Sequence, residues 1–443
     1  MSLDSAGEKS EDDAMYIVYN MFLWLAAVLV TPYFLFRIFF AGKYRRSYIQ
    51  KLGGRQAQKL EGLKEGPRVW IHAVSVGEVT AAAPIVASLK RKRPEAQIIF
   101  STATETGQDM ADKFVKDAAA IIYFPLDIPA VVLKMIKMVR PDVFVPVETE
   151  IWPNFLKICK IRGAKTVMVN GRVSPRSYRR YRLTNFLWKR VLRHLDFAGM
   201  ISTVDYERLR DIGMDETKME VSGNAKYDGL ASMVSPLLQE EMARRFNVQG
   251  DERFFVAGST HPGEDEIVLS VYKKLAERYP DFRLMIVPRH IERTGDIITL
   301  LHQSGLNDVI TLSAINRGAK RHAERAMVVD VIGELFKVYS LASVVYCGGS
   351  LVPKGGQNIL EAAAWGKMIF YGPSMEDFSS EKALLEEAGC GITVRNENEL
   401  LQGILRMLEN PEEMKNRGER GKSVVLANIG ASARYADLIS RYF

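Results

Sequence analysis

In the stretch Trp70 to Val79, WIHAVSVGEV, an apolar run ends in His72, Ser75, Gly77 and Glu78. Such a set at the end of a hydrophobic strand offers an imidazole, a hydroxyl and a carboxylate, beside a glycine that lets another molecule come close. The chemistry open to it is proton transfer, in which a carboxylate on a strand-to-helix turn takes a proton from a hydroxyl as its oxygen attacks. Polar residues collect in the same way after other apolar runs. They are Thr102, Thr104, Thr106 and Gly107, then Glu148, Thr149 and Glu150, and in the second half Gly258 to His261, Pro288-Arg289-His290, Gly333-Glu334 and Gly348-Gly349-Ser350. Each alone also reads as a helix start: Ser75 and Thr104 suit an N-cap, and Glu78 suits a first turn that favours negative charge. Capping alone does not call for glutamate at three places.

The segment GGSLVPKGGQNILEAAAWG, Gly348 to Gly366, adds a second kind of chemistry. A strand ends in glycines, a glycine-rich loop follows, and a helix is expected to open at Gln357-Asn358. N–H groups at a helix start favour a phosphate, and glycines let the backbone approach it. Glu361, one turn in, could accept hydrogen bonds from ribose hydroxyls or simply be solvated. No G-K-[ST] closes the loop and no G-x-G-x-x-G follows the first strand, which disfavours ATP hydrolysis and NAD chemistry. No D-x-D pair stands at a strand end, so neither a metal nor another cofactor is expected. His72 and His261 are isolated and are expected to support their loops by hydrogen bonding.

These residues need a scaffold, and the chain supplies a repeating one. From Arg68 short β-branched runs alternate with longer helical patterns, the sign of a parallel sheet covered by helices. RVWIHAV, AQIIFSTAT, AAIIYFPLD, PDVFVPVET, KTVMVNG, FAGMIST and MEVSG read as strands, with helices such as APIVASLKRKRP and VVLKMIKMVRP between. The pattern halts near residues 225–250 and restarts with RFFVAGST, FRLMIVPRH, DVITLS, MVVDVI, SVVYCGGS, KMIFYGP and GITVRN. The expected fold class is α/β, two Rossmann-like domains at 46–224 and 225–443. Open parallel sheets bind ligands at the carboxyl ends of their strands, so the cleft between the domains is the expected active site.

Composition frames the reading. The 443 residues suit two domains plus an appendage, and 47% hydrophobic content is that of a globular protein. A net charge of +7 is compatible with a phosphate-bearing partner but is far from the density of a nucleic-acid binder. Cys159, Cys347 and Cys390 are too widely spaced for a disulfide framework or a zinc site. Tyr16 to Phe36 has no charged residue; acids precede it, and Lys43, Arg45, Arg46 and Lys51 follow. Residues 1–45 are therefore expected to hold an acidic N-terminus and a membrane anchor helix, or one lying in the interface, with the rest of the chain cytoplasmic. SPRSYRRYRLTNFLWKR, Ser174 to Arg190, reads as a basic, aromatic helix suited to an anionic bilayer, or as a solvated face over an aromatic stripe.

WIHAVSVGEV, STATETG, PVETEIWPN, GNAKYD, VPRH, IGEL and GGQNILEAAAWG, in this order from residue 70 to beyond 366, resemble the signature series of the 3-deoxy-D-manno-octulosonic acid (Kdo) transferases. The resemblance implies the two-Rossmann GT-B fold, an inner-membrane anchor, and inverting transfer of Kdo from CMP-Kdo to a phosphorylated lipid A precursor (lipid IVA) in lipopolysaccharide synthesis. It implies Glu78 as proton acceptor and Glu148 and Lys226 as transition-state stabilisers. It implies CMP contacts from Pro288, Arg289, Ile332, Gly333, Glu334, Asn358, Ile359, Leu360 and Glu361, with no nucleic-acid partner. Two other readings fit the residues: a different GT-B nucleotide-sugar transferase acting on a membrane lipid, and a membrane-tethered nucleotide-binding scaffold.

Overall fold

The computed structural model describes residues 14–26, 28–29 and 48–443. It divides into two compact units, one running to Gly229 and resuming at Gly430–Phe443, the other spanning Leu230–Ile429.

Among the described residues the first unit holds seven strands: β1 (Arg68–His72), β2 (Gln97–Thr102), β3 (Ala120–Tyr123), β4 (Val143–Pro146), β5 (Lys165–Gly171), β6 (Phe197–Met200) and β7 (Met219–Val221). Their order is β3-β2-β1-β4-β5-β6-β7, and every pairing is parallel. Helices cover both faces, which is why the strands read as continuous apolar runs rather than alternating ones. All six residues of β2 are buried. Trp70 faces one core, edge-on to Phe124, Phe144 and Phe155, while Val69 and Ile71 face the other. From β1 the chain builds outward to β2 and β3, then returns to place β4 on the opposite side. The carboxyl ends of β1 and β4 therefore flank a topological switch point, where such sheets leave room for a ligand.

The second unit repeats the plan with β8 (Arg253–Thr260), β9 (Phe282–Pro288), β10 (Val309–Thr311), β11 (Ala326–Val328), β12 (Ala342–Cys347), β13 (Met368–Tyr371) and β14 (Gly391–Thr393). The order β10-β11-β9-β8-β12-β13-β14 is again fully parallel and puts its switch point between β8 and β12. All fourteen strands coincide with the apolar runs read from sequence.

Three expectations need revision. The second domain does not run from 225 to 443. Its helical linker begins inside the first unit, and the C-terminal helix Ala431–Ser440 returns there, with Tyr435, Leu438 and Ile439 in that unit's core. Asp228 fixes the return by accepting from the N–H groups of Gly430 (2.6 Å) and Ser432 (3.1 Å). The basic segment 174–190 is two helices, Pro175–Leu183 and Asn185–Leu192. They break at Thr184, whose hydroxyl bonds back to the Arg180 carbonyl, the kind of local bond that competes with a continuing helix.

The third concerns the N-terminus. Residues 14–26 are helical, and among the described residues no helix is long and apolar enough to cross a membrane. Residues 27 and 30–36 of the expected span lie outside the described ones. One face of the helix, Tyr16, Tyr19 and Asn20 at i, i+3 and i+4, is latched to the first unit. Tyr19 donates to Asp127 at 2.9 Å, Asn20 and Asn154 exchange amide hydrogen bonds at 2.8 and 3.3 Å, and Lys157 lies over the Tyr16 ring. Asp127 also accepts from the N–H groups of Asn154 and Phe155, in the first turn of helix Pro153–Ile161. Ile17, Val18, Met21, Phe22 and Leu25 point away and are exposed. Tyr19→Phe removes a hydrogen bond to a charged acceptor worth about 1.5–3 kcal/mol. Limited proteolysis within 14–29 is expected to accelerate by about tenfold or more, the ratio that 1.4 kcal/mol supports, with cleavage elsewhere unchanged.

Candidate functional site

In the first unit the strand ends bring Glu78, Glu148, Glu150 and Lys226 together. Ser75 ends the loop after β1, and helix Val76–Lys92 places Glu78 in its first turn. The Glu78 carboxylate accepts from the Val74 N–H (2.5 Å) and the Ser75 hydroxyl (3.0 Å). The capping reading is thus partly right for Glu78, while Ser75 makes no capping bond and serves the carboxylate instead. Thr104 does cap its helix, accepting from Gly107 N–H at 3.0 Å. Glu78 remains part-buried rather than turned into the interior.

Beyond β4 the backbone takes an unusual course. Glu148 has φ +61°, a left-handed conformation that costs a non-glycine residue about 1–3 kcal/mol and is kept only where surroundings enforce it. Its N–H donates to Val169 of β5 at 3.0 Å, and the Thr149 hydroxyl donates to the Arg172 carbonyl. Lys226 reaches it from the start of helix Lys226–Met233, Nζ to Oε1 at 2.8 Å, with the two side chains only 16% and 15% exposed. That turn is itself anchored: Asn170, also left-handed, accepts from Ala225 N–H at 2.9 Å, and Asn224 accepts from Lys226 N–H at 3.0 Å.

The electrostatics separate the three acids. Burial, reinforced by the charges of Glu148 and Glu150, pushes Glu78 up to about 8. Burial also pushes Glu150 up to about 7, with Glu148 adding to it and the Trp152 indole N–H (2.8 Å) opposing. Burial acts on Glu148 in the same sense, but the Lys226 ammonium and Arg172 outweigh it and hold this carboxyl below its usual range. One permanently ionised carboxylate and two with high proton affinity can hold and exchange a proton near neutral pH. Glu150, noted from sequence only as a strand-end acid, belongs to this cluster. So does His72, fully buried and stacked on Phe124. The signal for Glu150 was present in the E-x-E spacing after β4.

The second unit carries the nucleotide candidates and changes the reading of the glycine loop. Glu264, fully buried, accepts from the N–H groups of Gly349 (2.7 Å), Ser350 (3.1 Å), Leu351 (3.1 Å) and His261 (2.9 Å), and from the Tyr346 hydroxyl (2.7 Å). An internal carboxylate thus occupies the amides that a phosphate would otherwise seek. Gly355 and Gly356 N–H are likewise taken, by Ser374 and Gly349. The following helix is short, Leu360–Ala364, and opens three residues later than expected. The glycine part of the loop is thus held by internal bonds. Sequence could not show this, because Glu264 reads as an ordinary first-turn acid.

Around the frame the expected contacts divide. Arg289 is exposed after β9, and it, His290 and Lys354 stand close enough to His261 to add to the effect of burial in keeping that imidazole neutral. Arg289 and Lys354 suit a phosphate. Pro288 is buried at the end of β9 and sets where Arg289 leaves the sheet. Ile332 and Gly333 are exposed, Gly333 with φ +85°. The Glu334 carboxylate is buried and paired with Arg245 (2.8 Å) and Lys337 (3.2 Å), which leaves only its backbone for a ligand. Ile359 and Leu360 are buried as side chains and likewise offer backbone alone. Asn358 donates to Glu361 at 3.2 Å, aligning a half-buried carboxylate near the loop.

The chain is similar to known proteins in sequence and in fold. The family model for 3-deoxy-D-manno-octulosonic-acid transferase (kdotransferase) matches residues 45–229, ending where the first unit gives way to the second. The 3-deoxy-D-manno-octulosonic acid transferase of Haemophilus influenzae is 31% identical over 375 residues, 84% of this chain and 87% of that protein. The chain belongs to the Kdo transferase family. The Chlamydia trachomatis serovar A transferase is 28% identical over 92% of both chains. The bifunctional glycosyltransferase/methyltransferase of Fusobacterium nucleatum is 32% identical over 91% of this chain, which spans 60% of that longer protein. Among solved structures, a Rickettsia africae glycosyltransferase (TM-score 0.54, 15% identity, 86% of this chain and 98% of that one) has the same fold. So has a Neisseria meningitidis UDP-GlcNAc 2-epimerase (TM-score 0.59, 13% identity, 85% and 99%). This Kdo transferase family member therefore has the GT-B-like fold of two parallel α/β sheets.

Glu264→Ala strips a carboxylate from three loop amides, each costing about 1–3 kcal/mol if left unsatisfied. The variant is expected to lose CMP binding by calorimetry and to unfold its second unit at lower temperature, while Glu334→Ala, whose carboxylate is already paired, weakens CMP binding far less.

Proposed function

We propose that the protein transfers Kdo from CMP-Kdo to a phosphorylated lipid A precursor, lipid IVA, with inversion at the anomeric carbon. The observation that carries this reading is Glu78, a half-buried carboxyl of raised proton affinity at the switch point, beside the Glu148–Lys226 pair. Glu78 takes the proton of the acceptor hydroxyl as that oxygen attacks, and the bond to the CMP phosphate breaks. Glu148 stays ionised and offsets positive charge developing on the anomeric carbon, while Lys226 balances charge on the departing phosphate. Arg289, with Lys354 beside it, holds that phosphate, the backbone at Gly333 and Glu334 reads the base, and Glu361 takes the ribose. With one phosphate on the donor, these side chains suffice without a metal or another cofactor. The family relatives named Kdo transferases support the donor and sugar assignment.

The acceptor is lipid-borne, and the surface that meets it combines the outward apolar face of helix 14–26 with the basic helices Pro175–Leu183 and Asn185–Leu192. Arg179, Arg180, Arg182 and the exposed Leu183 and Phe186 suit an anionic bilayer. The exposed apolar face of helix 14–26 holds the chain at the bacterial inner membrane, with both units on the cytoplasmic face.

Purified protein given CMP-Kdo and lipid IVA is expected to yield a Kdo-bearing lipid by mass spectrometry, and none with UDP-sugars; the reverse pattern overturns the reading. Glu78→Ala should fold and bind CMP yet lose transfer by about 10²–10⁴-fold. The raised pKa has a stability consequence. Ionising Glu78 is harder in the folded than in the unfolded chain, so its cost is absent below the ordinary carboxylate value and grows as pH rises toward about 8. Glu78→Gln should therefore melt above the wild type at pH 8, with the difference vanishing by pH 4.

A further inference from the structure

His72 poses a question that the Glu78 reading leaves open. The ring lies fully buried at the end of β1, stacked on Phe124 with centroids 3.7 Å apart. Its Nδ1 is 3.1 Å from both the carbonyl oxygen and the hydroxyl Oγ of Ser101, and that hydroxyl donates to the Ile71 carbonyl at 3.4 Å. A carbonyl only accepts, and with the Ser101 hydroxyl hydrogen turned to Ile71, Nδ1 carries the hydrogen and Nε2 presents a lone pair. Nε2 has no hydrogen-bond partner among the described residues, although burial makes such an orphan cost about 1–3 kcal/mol. It faces Oε2 of Glu150, 3.8 Å away. Burial holds this imidazole down to about 3, so it is not an imidazolium that faces the carboxyl.

A lone pair opposite an ionised carboxylate is repulsive. Opposite a carboxylic acid it is an acceptor, and a side-chain shift of roughly 1 Å brings the two atoms to hydrogen-bond distance. Oε2 already accepts from the Trp152 indole N–H at 2.8 Å, and a hydroxyl oxygen can do that while donating its own proton. Glu148 raises the proton affinity of Glu150 from their shared loop, while the charge of Glu150 acts on Glu78 of helix Val76–Lys92 and on Tyr181 of helix Pro175–Leu183. Without a bond to His72, Glu78 holds its proton more tightly than Glu150, about 8 against about 7, and that bond reverses the order. The cations Lys226 and Arg172 act on Glu148. Three carboxyls share the pocket, and the ammonium is bonded to one of the other two.

We propose that Glu150 is a positioning residue that carries a proton in the resting enzyme, donated from Oε2 to Nε2 of His72, and that this leaves Glu78 ionised and able to act as the base. The inference rests on the reading of Glu78 as proton acceptor. No bond beyond hydrogen bonds changes: the proton stays on Glu150 through the reaction, and one of the two charges that oppose ionisation of Glu78 is removed.

The test is the acid limb of kcat/KM against pH in the full-length protein. Glu150→Gln is an uncharged isostere of the acid whose amide can donate to Nε2, so its limb should stay within about half a unit of the wild type. His72→Phe keeps the stacked ring but removes the lone pair. The proton then passes to Glu78, and the limb should rise by about one unit, the tenfold change in proton affinity that a lost buried hydrogen bond supports. The double variant His72→Phe/Glu150→Gln should restore the wild-type limb, which a merely structural role for either residue does not predict. A limb that falls by a unit or more in Glu150→Gln, or stays put in His72→Phe, overturns the proposal. If His72→Phe does not fold, nitrogen NMR of histidine-labelled wild type decides. A neutral ring with hydrogen-bonded Nε2 that loses that signature in Glu150→Ala supports the pair, and an unbonded Nε2 overturns it. Failure of the parent reading looks different: Glu78→Ala would retain turnover, whatever the limbs do.

Discussion

The site depends on one ion pair. Lys226 Nζ to Glu148 Oε1, 2.8 Å and mostly shielded from water, lets a carboxylate stay ionised in a place where burial alone would protonate it. With Glu148 fixed as the permanent anion, the proton affinities of Glu78 and Glu150 rise, and the first unit holds acids of distinct character within one pocket. Enzymes that move a proton near neutral pH need such a separation. The backbone cooperates: the left-handed turns at Glu148 and Asn170 aim the carboxylate and tie the Lys226 turn to β5. Without the pair, strained backbone and crowded acids would have nothing to hold them.

The second unit solves a different problem with the same kind of device. Its glycine-rich loop would be a flexible anion trap if its amides were free. Glu264 fills three of them from within, and the loop becomes a stable frame that carries Lys354 and leads into the helix of Glu361. An internal carboxylate in one unit and an internal ammonium in the other thus do related work: each uses a buried charge to fix groups that meet a ligand.

Much of the fold was legible because parallel strands buried on both faces must be continuously apolar. RVWIHAV and RFFVAGST admit no other reading once helical runs separate them. The strand-end acids were legible for the same reason, since a carboxylate there has no packing purpose. What stayed hidden was tertiary. The C-terminal helix is amphipathic, and its pattern does not say which sheet it covers; only Asp228, reaching Gly430 across two hundred residues, shows that it closes the first unit. Glu264 and Glu334 look like surface acids and are buried partners of amides and of arginine. The N-terminal apolar run did not reveal that Tyr19 and Asn20 latch it to Asp127 and Asn154, beside the loop that carries Glu148 and Glu150.

The central claim is that the Lys226 ammonium sets the proton affinities of the cluster. The most direct measurement is the pH dependence of kcat/KM in Lys226→Met, which keeps the length of the side chain and removes its charge. Loss of the cation raises the proton affinity of Glu148 by about 1–3 units, and a protonated Glu148 no longer opposes ionisation of Glu78, so the acid limb should move to lower pH. A variant whose rate falls uniformly while the limb stays where the wild type has it would contradict the account.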